Sequence, residues 1–224
     1  MRNPDPPQEP LEWLQEGAAD LGLELAPPIL EQFRLYLLEL KLWNARVNLT
    51  GLKTDREIVV KHFLDSLAVG RFLGPAAALA DLGSGAGFPG LVLKLTQPEM
   101  ALTLVEAREK KAAFLDYLVS RLKLTGVEVV RVYLTPALAR EWGPRFAAVV
   151  SRAAFPLARF LELAAPLLLP GGVALALKGP HLPAPELEAA GRRCEPLGLG
   201  TLEFHKYLLP LSGEPRLAVL AQRR

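Results

Sequence analysis

Residues 78–95, ALADLGSGAGFPGLVLKL, place one acid and then three glycines in five positions between two apolar runs. The first run, ending at Asp81, reads as a strand. Gly83, Gly85 and Gly87 read as a tight turn, and Pro89 suits the opening turn of a helix. Glycine carries no Cβ, so such a turn lets a ligand lie directly against backbone N–H groups. The spacing is G-x-G-x-G, and Phe88 stands where a dinucleotide fingerprint has its third glycine, a poor fit to a pyrophosphate. The next acid at a strand end is Glu106, nineteen residues beyond Gly87, where a carboxylate can accept hydrogen bonds from a ribose diol. Turn and acid together point to an adenosine-containing cofactor, either a dinucleotide or S-adenosylmethionine.

The elements that must position these residues fall into two regimes. Residues 1–74 read as a helical segment packed on the core. Leu11, Leu14, Ala18 and Leu21 share one face, and a second helix begins behind Pro27-Pro28. Thr54 and Glu57 have the spacing of a capping box at the head of a third helix that runs to Gly74. From 75 to 224 β-prone runs alternate with helical ones, with strands expected at 76–82, 101–106, 127–133, 146–151, 172–177, 201–209 and 216–221. The first five are spaced for crossover helices and hence parallel pairing, and the last two for an antiparallel hairpin. A seven-stranded α/β sheet closed by a hairpin, with irregular glycine spacing, favours the methyl donor over the dinucleotide.

Composition narrows the setting. The 224 residues are half hydrophobic, enough for one α/β domain with a sizeable core, and the formal charge of +2 is too small to demand a nucleic-acid partner. The charge is unevenly spread, however. One basic and seven acidic residues precede Arg34, whereas seven basic and four acidic lie from Arg34 to Arg71, so any basic face is local. Cys194 is the single cysteine, and the histidines His62, His181 and His205 are scattered, so neither a disulfide nor a zinc site is expected. The proline-rich, acidic start MRNPDPPQEP is unlike a signal peptide, and no apolar run could span a bilayer, so a cytoplasmic setting is expected.

Six stretches in this order, LWNARVNLT, KHFLDSL, DLGSGAGFPGLVLKL, VSRAAFPL, GGVALALKGP and LPLSGEPR, resemble the RsmG (GidB) family from about residue 28 to about 221. The resemblance implies a class I S-adenosylmethionine-dependent methyltransferase, a Rossmann-like seven-stranded sheet with its last strand antiparallel. It also implies N7-methylation of a guanine in helix 18 of 16S ribosomal RNA. The substrate would be that RNA or an assembling small ribosomal subunit, and the enzyme a monomer. By the family pattern Gly83 and Phe88 are cofactor positions, Glu106-Ala107-Arg108 is the adenosine-holding segment, and Arg152 is the basic residue at the mouth of the site. Asp81, Gly85 and Gly87 belong to the same expected cofactor turn. After strand three the family shows Arg-Ala-Glu. Here Thr135-Pro136 falls where Ala-Glu is expected, which puts cofactor affinity in question.

Guanine N7 keeps a free lone pair, so its methylation needs reactants held in line rather than a general base. Accordingly no catalytic residue is singled out with certainty. His62 and Asp65, three apart on a helix, are expected to line the pocket or to hydrogen-bond that helix onto the sheet. Phe88 and Phe155 are the aromatics placed to stack on a base, with a core role the better reading for Phe155. Arg152 and Lys178, at adjacent strand ends, and Arg46 and Lys53 are the candidate RNA contacts. Trp43 and Asn44 are read as anchoring a helix end. Two alternatives stay open: a methyltransferase for another substrate, and a non-catalytic nucleotide- or RNA-binding relative. An NAD-binding oxidoreductase fits less well.

Overall fold

The computed structural model describes residues 10–74 and 77–224. The proline-rich start therefore lies outside the described residues, as does position 76, where the first strand was expected to begin. The boundary drawn between 74 and 75 falls at the edge of the same gap.

Seven strands form one sheet: β1 (Ala78–Leu82), β2 (Ala101–Glu106), β3 (Val127–Arg131), β4 (Phe146–Arg152), β5 (Leu168–Lys178), β6 (Glu203–Leu208) and β7 (Pro215–Gln222). Their order is β3-β2-β1-β4-β5-β7-β6. The first five pair in parallel, and β7 runs antiparallel to both β5 and β6. The order reverses between β1 and β4, and a crevice opens at such a switch point beyond the carboxyl ends of the strands. Leu82 pairs with Val105, and Arg152 with Leu177, so the turn after β1, Glu106 and Arg152 all reach that crevice.

Alternate strand residues feed two cores, as the pleat requires. On one face Leu79, Leu104, Val150 and Leu175 join Leu14, Phe33, Tyr36 and Phe63 from the N-terminal helices in one cluster. On the other face Ala80, Leu82, Val149 and Ala174 pack with Leu157, Phe160 and Ala190. The helices concerned are α1 (Pro10–Asp20), α2 (Pro27–Val47), α3 (Asp55–Ile58) and α4 (Asp65–Gly70) before the sheet. Within it come α5 (Gly90–Thr96), α6 (Glu109–Arg121), α7 (Pro136–Trp142), α8 (Leu157–Ala164) and α9 (Ala184–Cys194). Among the described residues no helix is long and apolar enough to cross a membrane.

Three local features matter for the site, the first as expected and the other two departures from the expected elements. α2 ends at Asn48, which takes a left-handed conformation with φ 53°. The Asn44 side chain then accepts from Leu49 N and Thr50 N and donates to Thr50 O. Asn44 thus anchors the helix end, and Trp43 rests on Phe114 and Tyr117. The Thr54–Glu57 capping box forms in both directions, but the helix it starts widens into a π turn over Val59–Leu64. Such turns are frequent at functional sites. Finally, β3 stops at Arg131, two residues earlier than expected, which releases Val132, Tyr133 and Leu134 from the sheet.

Candidate functional site

The glycine turn is stitched to β2. Gly83 N and Ser84 N donate to Val105 O, at 2.8 and 3.1 Å. Glu106 accepts from Gly85 N at 2.9 Å with one oxygen and from Arg108 N at 2.8 Å with the other. The acid and the turn inferred from spacing are therefore joined, with the carboxylate at the crevice. Each oxygen keeps a lone pair for a diol.

The glycines differ in purpose. All three have positive φ, at 72°, 60° and 95° for Gly83, Gly85 and Gly87. A Cβ on Gly83 would lie 2.5 Å from Ala154 Cβ, and one on Gly87 would lie 2.5 Å from Leu91 and 2.6 Å from the Tyr36 hydroxyl. Gly85 meets nothing nearer than a backbone oxygen at 3.8 Å. Its open side faces the crevice, whereas Gly87 is small because the fold is tight there. Gly87 does not line the cavity, which corrects its place among the cofactor contacts.

Asp81 also moves from ligand contact to scaffold. It is fully buried beneath the turn and accepts from Gly90 N at 2.8 Å, at the head of α5. Its other oxygen has no hydrogen-bond partner among the described residues. Burial pushes its carboxyl up to about 7. Gly90, which sequence spacing overlooked, is needed here because a Cβ would sit 2.8 Å from that carboxylate.

A cavity of about 460 Å³ occupies the crevice. Gly83 to Ala86 and Phe88 form its floor, Glu106, Ala107 and Arg108 one side, and Val132 to Leu134 the end beyond β3. Leu49, His62, Arg152 and Ala153 to Phe155 face them. Thr135 and Pro136 do not line it. Thr135 instead caps α7 by accepting from Leu138 N, and Pro136 opens that helix. The early end of β3 leaves Tyr133-Leu134 on the cavity in place of Thr135-Pro136, and neither pair supplies the carboxylate of the family's Ala-Glu. Tyr133, 73% exposed, is a lining residue that sequence reasoning missed, as are Leu49 and Ser84. An aromatic just past a strand end was the available signal for Tyr133.

The wall opposite Glu106 is assembled from distant segments. Phe88 is buried, stacked on Tyr36 at 5.1 Å and on His62 at 4.5 Å. Its faces are thus already engaged, which argues against its stacking on a base. Tyr36 donates to Ala86 O at 2.6 Å, fastening α2 to the turn. His62 Nδ1 lies 3.1 Å from Lys61 O, which can only accept, so Nδ1 carries the proton and Nε2 accepts from the Thr50 hydroxyl at 2.8 Å. Burial, reinforced by the Arg152 charge, lowers the His62 pKa to about 3 and keeps the ring neutral.

Arg152 reaches the cavity from the end of β4. Its guanidinium sits 5.0 Å from the Phe88 centroid, donates to Lys61 O at 2.9 Å and lies 3.6 Å from Asp65. Asp65 in turn accepts from the Tyr207 hydroxyl at 2.7 Å. Asp65 therefore stands behind Arg152 and not in the pocket, and of the expected pair only His62 faces the cavity. Lys61 pairs with Glu214 at 2.9 Å, which adds a tie to the C-terminal hairpin.

The expected RNA contacts fare unevenly. Lys178 is 12% exposed and does not line the cavity. It donates to Phe155 O at 2.8 Å and to Glu186 at 2.9 Å, so it is no free cation at the rim. Arg46 and Lys53 are exposed on the N-terminal segment, outside the cavity, and Lys53 borders a second hollow with Lys41 and Asn48.

Comparison with known proteins agrees with this architecture. Solved structures of a methyltransferase from Pyrococcus furiosus and a SAM-dependent methyltransferase from Aquifex aeolicus superpose with TM-scores of 0.55 and 0.54. They are each 17% identical, cover 85% and 75% of this chain, and are themselves covered over 97% and 93%. The fold is that of the class I S-adenosylmethionine-dependent methyltransferases. Ribosomal RNA small subunit methyltransferase G of Geobacter sp. (strain M21) is 38% identical across 96% of this chain and 99% of its own. The enzyme of the same name from Deinococcus deserti is 41% identical across 96% and 88%. The family model described as GidB, rRNA small subunit methyltransferase G, matches residues 29–210, and the chain belongs to that family.

Proposed function

We propose that this chain transfers a methyl group from S-adenosylmethionine to N7 of a guanine in helix 18 of 16S ribosomal RNA. The observation that carries this reading is the cavity itself. One wall is the open side of Gly85 with the Glu106 carboxylate, and the other is built from a neutral His62 and a charge-balanced Arg152.

The lining fits the donor. A Cβ at Gly85 would project into the crevice with only Gly83 O near it, at 3.8 Å, and Glu106 lies level with it to take the ribose hydroxyls. Ala107 and Arg108 continue that side, and Val132 to Leu134 close the end where an adenine would lie. Bound there, S-adenosylmethionine supplies a methyl group activated by a sulfonium charge.

The chain's own task is placement. Guanine N7 carries a lone pair and no proton, so no residue has to remove one. His62 is locked between Lys61 O and the Thr50 hydroxyl, and Glu106 is committed to two backbone N–H groups. Neither is arranged as a base, and holding the reactants in contact is the main catalytic resource. The base gains positive charge as it is methylated. Asp65 offsets the charge of Arg152, so the wall that the base approaches is not net cationic. Helical RNA hides N7 in a deep, narrow groove, so an unpaired guanine in a loop or junction is the substrate the cavity can admit. We take the enzyme to act as a cytoplasmic monomer on the RNA or on an assembling small subunit, with exposed Arg46 and Lys53 as phosphate contacts.

The test is methyl transfer to unmodified small-subunit RNA, with the modified atom mapped by mass spectrometry and chemical cleavage. Label at a single guanine N7 is expected. Label on a ring carbon, an exocyclic amine or a ribose would overturn the reading.

A further inference from the structure

The loop from Ala153 to Pro156 borders the cavity between β4 and α8, and its anchoring stands out from the other cavity walls. A lysine and a glutamate from two other elements hold its backbone. Lys178, the last residue of β5, donates to Phe155 O at 2.8 Å. Glu186, in the first turn of α9, receives both Lys178 Nζ at 2.9 Å and Leu157 N at 2.8 Å on the same carboxylate oxygen. The loop is thus gripped on both sides of Pro156. It also contains backbone strain, since Ala153 sits at φ 52°, a conformation unfavourable for any residue with a side chain.

Phe155 is the side chain this grip displays. It lines the cavity, is only partly buried, and its ring edge lies against Gly83. Among the described residues it makes no ring–ring contact, whereas Phe88 is stacked on Tyr36 and His62. Phe155 packs against the core that contains Leu157 and Phe160 and keeps its cavity-facing surface to offer, and a flat aromatic at the mouth of a cavity for a flipped-out base is a stacking platform. Charge does not explain Lys178, because its ammonium is already satisfied by a carbonyl and a carboxylate away from the rim.

We propose that Phe155 is the face on which the acceptor base stacks, and that Lys178 and Glu186 are positioning residues that act through it. The proposal rests on the function proposed above.

The experiment measures unmodified small-subunit RNA affinity across a salt series, S-adenosylhomocysteine affinity, and single-turnover methyl transfer. The variants are Phe155→Ala, Phe155→Trp, Lys178→Met, Glu186→Gln, and Lys178→Met combined with Phe155→Ala. Phe155→Ala is expected to weaken RNA binding about tenfold or more, with S-adenosylhomocysteine affinity within about twofold, and Phe155→Trp to restore RNA binding. Lys178→Met and Glu186→Gln should each weaken RNA binding less than Phe155→Ala does, with the salt slope unchanged because no phosphate contact is lost. Lys178→Met should add nothing to Phe155→Ala, since groups that work through one another are not additive. A flatter salt slope for Lys178→Met, or independent losses in the double variant, would overturn the positioning role. Unchanged RNA affinity and transfer rate in Phe155→Ala would overturn the platform. Wild-type protein that binds S-adenosylhomocysteine but methylates no RNA would count against the underlying function instead, a result these variants do not mimic.

Discussion

The two walls of the cavity are built in opposite ways. The Glu106 wall is local. Residues 81–90 make the turn, residues 104–108 supply the strand and acid beside it, and every hydrogen bond between them spans a short stretch of chain. The Arg152 wall is assembled from afar, with Lys61 bonding to Arg152 and Asp65 to Tyr207. A local wall can be altered at one residue and lose only its ligand. A wall held by a chain of buried partners loses its support when one member goes.

Arg152→Ala is the sharpest probe of that difference and has the largest expected effect. It leaves the buried Asp65 without its cation, and breaking a buried pair on one side typically costs about 3–5 kcal/mol. Urea denaturation should show a loss of that order together with weaker cofactor and RNA binding. A stability loss under about 1 kcal/mol would mean that the wall does not depend on the pair.

Gly85→Val tests the other side. Its Cβ meets only Gly83 O, at an unstrained 3.8 Å, so S-adenosylhomocysteine affinity should fall roughly a hundredfold, the upper range of the 1–3 kcal/mol that overfilling a site costs. The backbone strain is separable. Gly143 has φ 68° and nothing within 4 Å, so Gly143→Val should lose stability through backbone strain and no affinity. Equal loss of affinity in both variants would erase the contrast between strain and obstruction.

Glu106→Gln should weaken the cofactor about ten- to a hundredfold, as expected for a charge-assisted hydrogen bond worth about 1.5–3 kcal/mol. The amide can accept from only one of Gly85 N and Arg108 N, so some loosening of the turn is included. Calorimetry with S-adenosylhomocysteine measures it, and a change below twofold would remove Glu106 from the donor site.

The most gradual effect is in the pH dependence. His62 titrates at about 3 in the folded protein against 6.5 unfolded, so between those values only the unfolded chain takes up the proton. Its contribution is fully present above pH 6.5 and is lost as the pH falls toward 3. The stability advantage of wild type over His62→Gln should therefore shrink on acidification, by at most about 1.4 kcal/mol per pH unit. An advantage that is flat from pH 6.5 to 4.5 would mean the imidazole is not held neutral.

The same contrast explains what could be read in advance. The turn, Glu106 and the seven strands follow from glycine spacing and apolar periodicity, which are properties of neighbouring residues. Lys178 was misjudged because strand-end position predicts nearness to the crevice but not direction. Arg152 turns into the cavity, while Lys178 turns to a carbonyl and a carboxylate that only the packed loop and α9 provide. The π turn at Val59–Leu64 leaves no clear pattern in an apolar helical run, yet His62 lines the cavity and Asp65 backs Arg152 from either side of its end. Thr135 and Pro136 were misplaced by a strand end two residues early, an offset invisible to propensity but large enough to change which side chains face a ligand.

The position of β7 has a consequence for the order in which the molecule is made. β7 lies between β5 and β6 but follows both in the chain, so β6 has no strand to join until β7 has been synthesised. Tyr207 on β6 and Glu214 in the connection are the residues that secure Asp65 and Lys61, more than a hundred positions earlier. A chain growing from its N-terminus can fold the Glu106 wall early, but must wait for β7 before the Tyr207 and Glu214 ties behind Arg152 are secured. Completion of the Arg152 side of the cavity is thereby one of the late events of synthesis, and a nascent chain halted before β7 would carry the glycine turn without the finished wall opposite it.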